Sequence, residues 1–124
     1  MSKLVALRLL MYIQLVTGLI RAAPFAGVTV SLSLGVVHLV IGIIAVILAP
    51  LALGPVEGIP ESAVRRLARM APLAPLLIGL GLRFGVLLSP WWVLVHVLLG
   101  IATIALIEMA AARQRRALAV ASSE

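Results

Sequence analysis

The feature that most constrains this chain is a long stretch without charge, since no Asp, Glu, Lys or Arg occurs between Arg21 and Glu57. A helix crosses the hydrocarbon core of a bilayer with about 20 apolar residues, so this stretch can hold a membrane span. The 124-residue chain is 64% hydrophobic and 11% charged, whereas a soluble domain is about 45–50% apolar and about 25% charged. We therefore expect an integral membrane protein.

Four apolar segments, residues 4–24, 28–51, 71–88 and 90–113, each fit a membrane-spanning helix. We call them predicted helices 1 to 4, and we expect one all-α domain over residues 1–124, a bundle of four transmembrane helices. Ser89 and Pro90 supply a capping hydroxyl and a first-turn proline for predicted helix 4. Predicted helices 3 and 4 would then form a tight antiparallel hairpin, with only Ser89 between them.

The basic residues predict the orientation of the bundle. Most of the ten Lys and Arg residues fall at the two termini or in the loop of residues 54–70, namely Lys3, Arg8, Arg65, Arg66, Arg69, Arg113, Arg115 and Arg116. Cytoplasmic loops carry an excess of positive charge, so both termini and this loop should lie in the cytoplasm, with the helices in the cell (inner) membrane. Within the loop, Val64, Leu67 and Ala68 share one helical face, which fits either a short helix lying on anionic lipid or a plain basic loop.

Composition also excludes several classes of function. The chain has no cysteine, which rules out disulfides, thiolate catalysis, iron–sulfur clusters and covalent haem attachment. The net charge is +6, but the basic residues lie at the ends of spans, where topology accounts for them. We therefore expect the lipid bilayer, and no nucleic acid, as their partner.

Predicted helices 2 and 4 share a short motif. Residues 37–43 read VHLVIGI and residues 95–101 read VHVLLGI, so the only two histidines, His38 and His96, each precede a glycine by four residues. We infer two helical hairpins repeated in parallel about a pseudo-twofold axis along the membrane normal. Each histidine lies twelve residues, about 18 Å of helix, before the cytoplasmic end of its helix at Pro50 or Glu108. The two imidazoles should therefore share a depth.

Ionisable residues inside a bilayer are costly and usually face the bundle interior, so this pair suggests a function. Two histidines at one depth on alternate helices are typical of the axial ligands of a haem b, one on each face of the porphyrin. Small residues lie on both sides of His38 at helical spacing: Ser31, Gly35, Gly42, Ala45 and Ala49. Gly100 and Thr103 continue the corresponding face beside His96. Such a face leaves room for a flat macrocycle, although it also serves ordinary helix packing.

Arg21 and Arg83 are the two basic residues on the outer side. Each lies about 20 Å along its helix from the cytoplasmic arginine that precedes it, less than the hydrocarbon core of about 30 Å. Their planar guanidinium groups suit the carboxylates of haem propionates. The alternative is that they mark the ends of helices at the lipid headgroups.

Other interpretations of the polar residues stay open. The histidines fit hydrogen bonds across helices, ligation of a chlorin by one of them, or a proton relay. A non-haem metal is disfavoured, because two histidines without nearby carboxylate or cysteine form an incomplete ligand set. Tyr12, Gln14 and Thr17 would either line a quinone pocket or complete interhelical hydrogen bonds.

The four-helix plan with His38 and His96, together with residues 14–21 (QLVTGLIR), resembles one half of a haem A synthase. Members of that family look like two fused four-helix halves, and half-length members that pair also exist. The family's catalytic half carries a glutamate four residues before its helix 2 histidine, where this chain has Leu34. The resemblance therefore implies haem binding without oxygenase chemistry.

These features predict a small b-type cytochrome-like subunit that passes electrons within the membrane. It would work in a larger respiratory or photosynthetic complex or as a homo-oligomer, with quinone or quinol as electron donor or acceptor, and would not itself be catalytic. The alternative is a cofactor-free structural accessory subunit of a membrane complex.

Overall fold

The computed structural model describes residues 2–22, 32–56 and 60–121. Within these ranges the regular elements are helices: α1 (Lys3–Ala22), α2 (Leu32–Ala52), α3 (Ala63–Met70), α4 (Leu73–Arg83) and α5 (Trp91–Ala121). The all-α class is therefore confirmed. Three stretches of these helices are long and apolar enough to cross a bilayer, Lys3–Arg21, Leu32–Ala52 and Trp91–Val120, which fits a membrane protein. The predicted start of helix 2 at residues 28–31, including Ser31, lies outside the described residues.

The main difference from the expected helices is the length of α4. Predicted helix 3 covered residues 71–88, whereas α4 has 11 residues, about 16 Å of helix and roughly half of the hydrocarbon core. It ends in a Schellman motif: Gly85 takes a φ of 68°, Val86 N donates to Gly81 O at 2.9 Å and Gly85 N donates to Leu82 O at 3.4 Å. The connection to α5 therefore extends from Phe84 to Pro90 and is longer than the one residue expected.

A short helix occupies the predicted cytoplasmic loop. Ser62 caps α3, accepting a hydrogen bond from Arg65 N at 3.3 Å. Of the two interpretations of this segment, a short helix or a plain loop, the structure shows the helix. Ala68 is buried and Val64 packs against the core, whereas Leu67 is exposed. Arg65 is also buried. Pro72 lies between α3 and α4. Its backbone angles are helical, but proline has no N–H to donate, so the series of helical hydrogen bonds is interrupted there.

The four longer helices form a ring. α1 packs against α2 and α5, and α4 packs against the same two helices, so that α2 and α5 face each other diagonally. α3 covers one end of the ring by packing against α2 and α5. The buried core lies at that end, where α1 begins, where α2 ends and beside the middle of α5: Leu7, Met11, Ala45, Ala49, Ala52, Leu53, Ala68, Ile107 and Ala110.

Candidate functional site

The structure brings the two histidines together. His38 on α2 and His96 on α5 have ring centroids 6.0 Å apart, with an angle of 67° between the ring planes. Both side chains are partly buried. Because their helices are diagonal, the two imidazoles face each other across the inside of the helix bundle. They lie at the same level of the bundle.

Each imidazole lies against a glycine of the helix that precedes it in the chain. A Cβ at Gly18 on α1 would lie 2.8 Å from His38 Cε1, and a Cβ at Gly79 on α4 would lie 2.9 Å from His96 Cε1. Both distances are too short for a real side chain, so glycine is required at these two positions for the rings to sit where they do. Sequence reasoning missed both glycines.

Hydrogen bonds fix the tautomer of His96. Its Nδ1 lies 2.9 Å from Pro75 O, and a carbonyl oxygen only accepts, so Nδ1 carries the proton. The lone pair of the ring is then on Nε2.

The same assignment follows for His38. Its Nδ1 lies 3.1 Å from Thr17 Oγ1, and the Thr17 hydroxyl donates its own proton to the backbone, with Ile13 O at 2.9 Å. The hydroxyl oxygen therefore accepts from His38 Nδ1. His38 Nε2, which keeps the lone pair, accepts from Gln14 Nε2 at 3.3 Å. Gln14 and Thr17 thus make interhelical hydrogen bonds, one of the two roles expected for them.

A cavity of about 250 Å³ lies between the four longer helices. It is lined by the two histidines, the two outer arginines and the three glycines that the sequence singled out for the haem site: Arg21, Gly35, His38, Gly42, Arg83, His96 and Gly100. Ala49 and Thr103, placed on the same faces by the sequence, do not line it. Its walls are otherwise mostly apolar, with Leu15, Leu39, Leu76 and Val97 among them. A pocket for a small molecule typically has a volume of about 300–1,000 Å³, so this one is slightly below that range.

The three predicted glycines differ in what faces them. A Cβ at Gly35 would lie 3.1 Å from Arg21 Cζ, and a Cβ at Gly42 would lie 3.0 Å from Gln14 Nε2. A Cβ at Gly100 would meet nothing within 4 Å. Gly35 and Gly42 therefore admit polar side chains of α1 into the cavity, whereas Gly100 borders open space.

Arg21 and Arg83 lie in the last turns of α1 and α4 and line the cavity while staying exposed. Both geometries proposed for them from the sequence are thus compatible with their positions. Their charge also interacts favourably with the negative end of the helix dipole.

The polar side chains farther from the histidines make hydrogen bonds to other groups of the chain. Glu108 on α5 accepts from Arg8 Nε at 2.7 Å and from the Tyr12 hydroxyl at 3.1 Å, both on α1. Thr103 donates its hydroxyl proton to a backbone carbonyl, with Leu99 O at 2.7 Å. Tyr12 is therefore engaged between helices and does not line the cavity described above.

The spacing of the two imidazoles is close to that of two ligands of one ion. A metal–imidazole bond is about 2 Å long and the nitrogen lies about 1.2 Å from the ring centre, so two imidazoles on opposite sides of one ion have centres about 6.4 Å apart. The ring centres of His38 and His96 are 6.0 Å apart, close to that separation. Within residues 2–22, 32–56 and 60–121 no three His, Cys, Asp or Glu side chains are grouped to hold a metal ion.

Two further observations bear on the fit of a haem. Gln14 Oε1 is buried without a hydrogen-bond partner among the described residues, and no side chain of residues 2–22, 32–56 or 60–121 lies within 4 Å of a Cβ built at Gly100. The cavity therefore contains one buried oxygen atom without a hydrogen-bond partner and an unfilled space, both among the described residues. The donor set and the open side at Gly100 fit a haem, provided that the Gln14 amide moves aside.

No protein-family model, curated protein or solved structure matches this chain.

Proposed function

We propose that the chain is a small b-type cytochrome-like membrane subunit, which binds one haem b between α2 and α5 and passes electrons within the membrane. The observation that carries this proposal is the geometry of the histidine pair, with ring centroids 6.0 Å apart on diagonal helices. His38 and His96 would be the axial ligands. A haem supplies reversible one-electron chemistry, and the apolar walls and axial ligands set its potential.

The hydrogen bonds at the far nitrogen of each ring support this role. Histidines that bind a metal usually donate their other N–H to a carbonyl or a similar acceptor, which orients the ring. His96 Nδ1 donates to Pro75 O, and His38 Nδ1 donates to Thr17 Oγ1. Both Nε2 atoms therefore hold the lone pair that an iron ligand requires.

The repeat proposed from the sequence also gains support. The two halves have the same contact: Gly18 faces Cε1 of His38, and Gly79 faces Cε1 of His96. Arg21 follows the first glycine by three residues and Arg83 follows the second by four. We propose that the two arginines bind the haem propionates at the outer side of the cavity.

The proposed topology has four crossings, with both termini and α3 in the cytoplasm. α3 packs beside the end of the ring that contains the buried core, whereas α5 begins at Trp91 and is 31 residues long. Residues between Met70 and Trp91 must therefore return the chain to the opposite side, α4 making part of that crossing. From the distribution of Lys and Arg we infer that the end with the buried core lies on the cytoplasmic side of the cell (inner) membrane.

The resemblance to one half of a haem A synthase belongs to the same proposal. Leu34 stands where that family's catalytic glutamate would be, so we propose haem binding and electron transfer without oxygenase chemistry. The chain would exchange electrons with a larger respiratory or photosynthetic complex or with a second copy of itself. Quinone or quinol is the proposed mobile carrier.

The test is a reduced-minus-oxidised visible spectrum of the protein purified with haem available. We expect a Soret band and sharp α and β bands, lost or converted to a high-spin spectrum in His38→Ala and in His96→Ala. Val40→Ala is the matched control, since Val40 lies on α2 near His38 but is exposed on the outside of the bundle. A colourless wild-type protein would refute the proposal.

One observation favours the alternative of a structural accessory subunit. Both ring nitrogens of His38 already have partners in the chain, Thr17 and Gln14, so this histidine is satisfied without any cofactor. In that case the wild-type protein stays colourless, and His38→Ala lowers its thermal stability by leaving the Gln14 amide unpaired.

A further inference from the structure

The two histidines are related by the repeat, but their Nε2 atoms have different surroundings. No hydrogen bond from residues 2–22, 32–56 or 60–121 reaches His96 Nε2, and its Nδ1 is held by a backbone carbonyl that cannot rotate away. His38 Nε2 is instead occupied by the side-chain amide of Gln14 at 3.3 Å. The His96 side is therefore ready to bind a metal, whereas the His38 side is blocked.

Gln14 is positioned between His38 and the backbone of α2. Its Nε2 would lie 3.0 Å from a Cβ at Gly42, so the amide occupies the space that this glycine provides. Its Oε1 is buried without a partner among the described residues. Binding of iron by His38 must displace this amide and break its one hydrogen bond to the ring, so the amide and the iron compete for His38 Nε2.

We propose that this competition makes His38 an exchangeable axial ligand, and that its side of the haem is a binding position for a small uncharged diatomic ligand such as carbon monoxide. The inference rests on the proposed haem site. When His38 leaves the iron, the Gln14 amide is a hydrogen-bond donor beside the vacated position. Donors and steric access on one side of a haem decide whether it takes an external ligand.

The chemistry of the surroundings selects the class of ligand. Gly18 faces the His38 ring and Gly42 faces the Gln14 amide, and Met11, Leu15 and Leu39 line the cavity close by in sequence. Arg21 and Arg83 also line the cavity, but in the proposed site their charges are neutralised by the haem propionates. A charged ligand on the His38 side would therefore lose its hydration without a free counter-charge. A neutral diatomic molecule with a weak acceptor atom fits this environment.

The experiment adds carbon monoxide to the reduced, haem-loaded full-length protein and records the visible spectrum and the C–O stretching band in the infrared. We expect the wild type to bind the gas, with a shifted Soret band. In Gln14→Leu, removal of the competing amide strengthens the bond of His38 to iron, so the affinity for carbon monoxide should fall about tenfold. The C–O stretch should rise, because the donor to the bound ligand is gone.

Gln114→Leu is the matched control, because Gln114 on α5 is the other glutamine whose Oε1 is buried without a partner among the described residues, and it does not line the cavity. It should leave the affinity and the stretch unchanged. His38→Ala should keep haem and bind the gas faster, whereas His96→Ala should lose haem during purification.

The outcomes separate this inference from the function on which it rests. A wild type that contains low-spin haem and ignores saturating carbon monoxide refutes the exchangeable position and leaves the cytochrome proposal intact. Equal affinity and equal stretch in wild type and Gln14→Leu refute the role of Gln14. Retention of haem by His96→Ala and its loss from His38→Ala would reverse the assignment and refute the inference. A protein without haem refutes the proposed function itself.

Discussion

The two ends of the helix ring use small residues in opposite ways. At the end covered by α3, which we call the packed end, the small residues are alanines whose methyl groups are buried, among them Ala49, Ala68 and Ala110. Around the histidines, which we call the open end, they are glycines that face a ring, an amide, a guanidinium group or empty space. Alanine at a close helix contact fills the gap, whereas glycine leaves a gap for something else to fill.

Polar groups follow the same division. At the packed end they link helices to each other: Glu108 accepts from Arg8 and Tyr12, and the buried Arg65 donates to Gly54 O. At the open end Gln14, Arg21 and the histidines point into a cavity. The packed end is therefore the part that holds the bundle together, and the open end is the part free to bind a ligand.

The largest effect on stability should come from emptying the packed end. Leu7 is 0% exposed, so Leu7→Ala leaves a cavity and should lower the free energy of unfolding by about 3–4 kcal/mol, the middle of the range for buried leucine. The control is Leu9→Ala on the same helix, since Leu9 is 52% exposed. Thermal unfolding in detergent measures both variants. Equal losses would show that the packed end contributes no more than the outer surface.

The next effect concerns the glycines that seat the histidines. Gly18→Ala and Gly79→Ala each add a methyl group at less than 3 Å from an imidazole carbon, and overpacking of this kind costs about 1–3 kcal/mol. Both should displace a ring, and the haem-loaded spectrum should become high-spin in Gly18→Ala and be lost in Gly79→Ala. Gly81→Ala, also on α4, is the control for overpacking itself: its methyl group would lie 2.8 Å from Leu87 Cδ1 and away from both imidazoles, so the low-spin spectrum should be kept. A low-spin spectrum in the first two variants would contradict the proposed seating.

Several of the residues that line the cavity were singled out from the sequence, the two histidines among them. His38 and His96 are the only histidines, and each has a glycine at the next position of the same helical face. Side chains four residues apart on one helix are neighbours in any packing arrangement, so Gly42 and Gly100 could be placed with them. Such inferences concern one helix at a time.

Relations between helices were missed for a physical reason. The register that sets Gly18 against His38 and Gly79 against His96 depends on how ridges and grooves of different helices interlock, which one helix does not encode. The only signal was a glycine three or four residues before each outer arginine. The early end of α4 was missed although Arg83 and Gly85 together are a helix-stop signal, because apolar residues continue to Leu88 and were counted as part of the span.

The burial of Arg65 on α3 was missed for a related reason. The apolar pattern placed Val64, Leu67 and Ala68 on one face, which was expected to rest on lipid. Ala68 is buried, Val64 packs against the core and Leu67 is exposed, but Arg65 is buried as well. The Arg65 side chain bonds to Gly54 O, a carbonyl that follows the end of α2. Burial of an arginine depends on an acceptor elsewhere in the chain, and a helical pattern contains no information about that acceptor.

The smallest effect is expected at Gly100, where one substitution tests whether the position behaves as part of the packed end or of the open end. Without a ligand, the Cβ of Gly100→Ala meets nothing within 4 Å, and alanine is favoured over glycine in a helix by about 1 kcal/mol. The haem-free variant should therefore be as stable as the wild type or up to about 1 kcal/mol more stable, as measured by thermal unfolding in detergent. With haem available, the substitution should instead be unfavourable, because the methyl group enters the space proposed for the macrocycle. The fraction of haem-loaded protein should then be lower than in the wild type. If Gly100→Ala stabilises the protein and loads haem as well as the wild type, the macrocycle does not lie against Gly100. If it destabilises the haem-free protein, the space beside Gly100 is filled by the chain and belongs to the packed end.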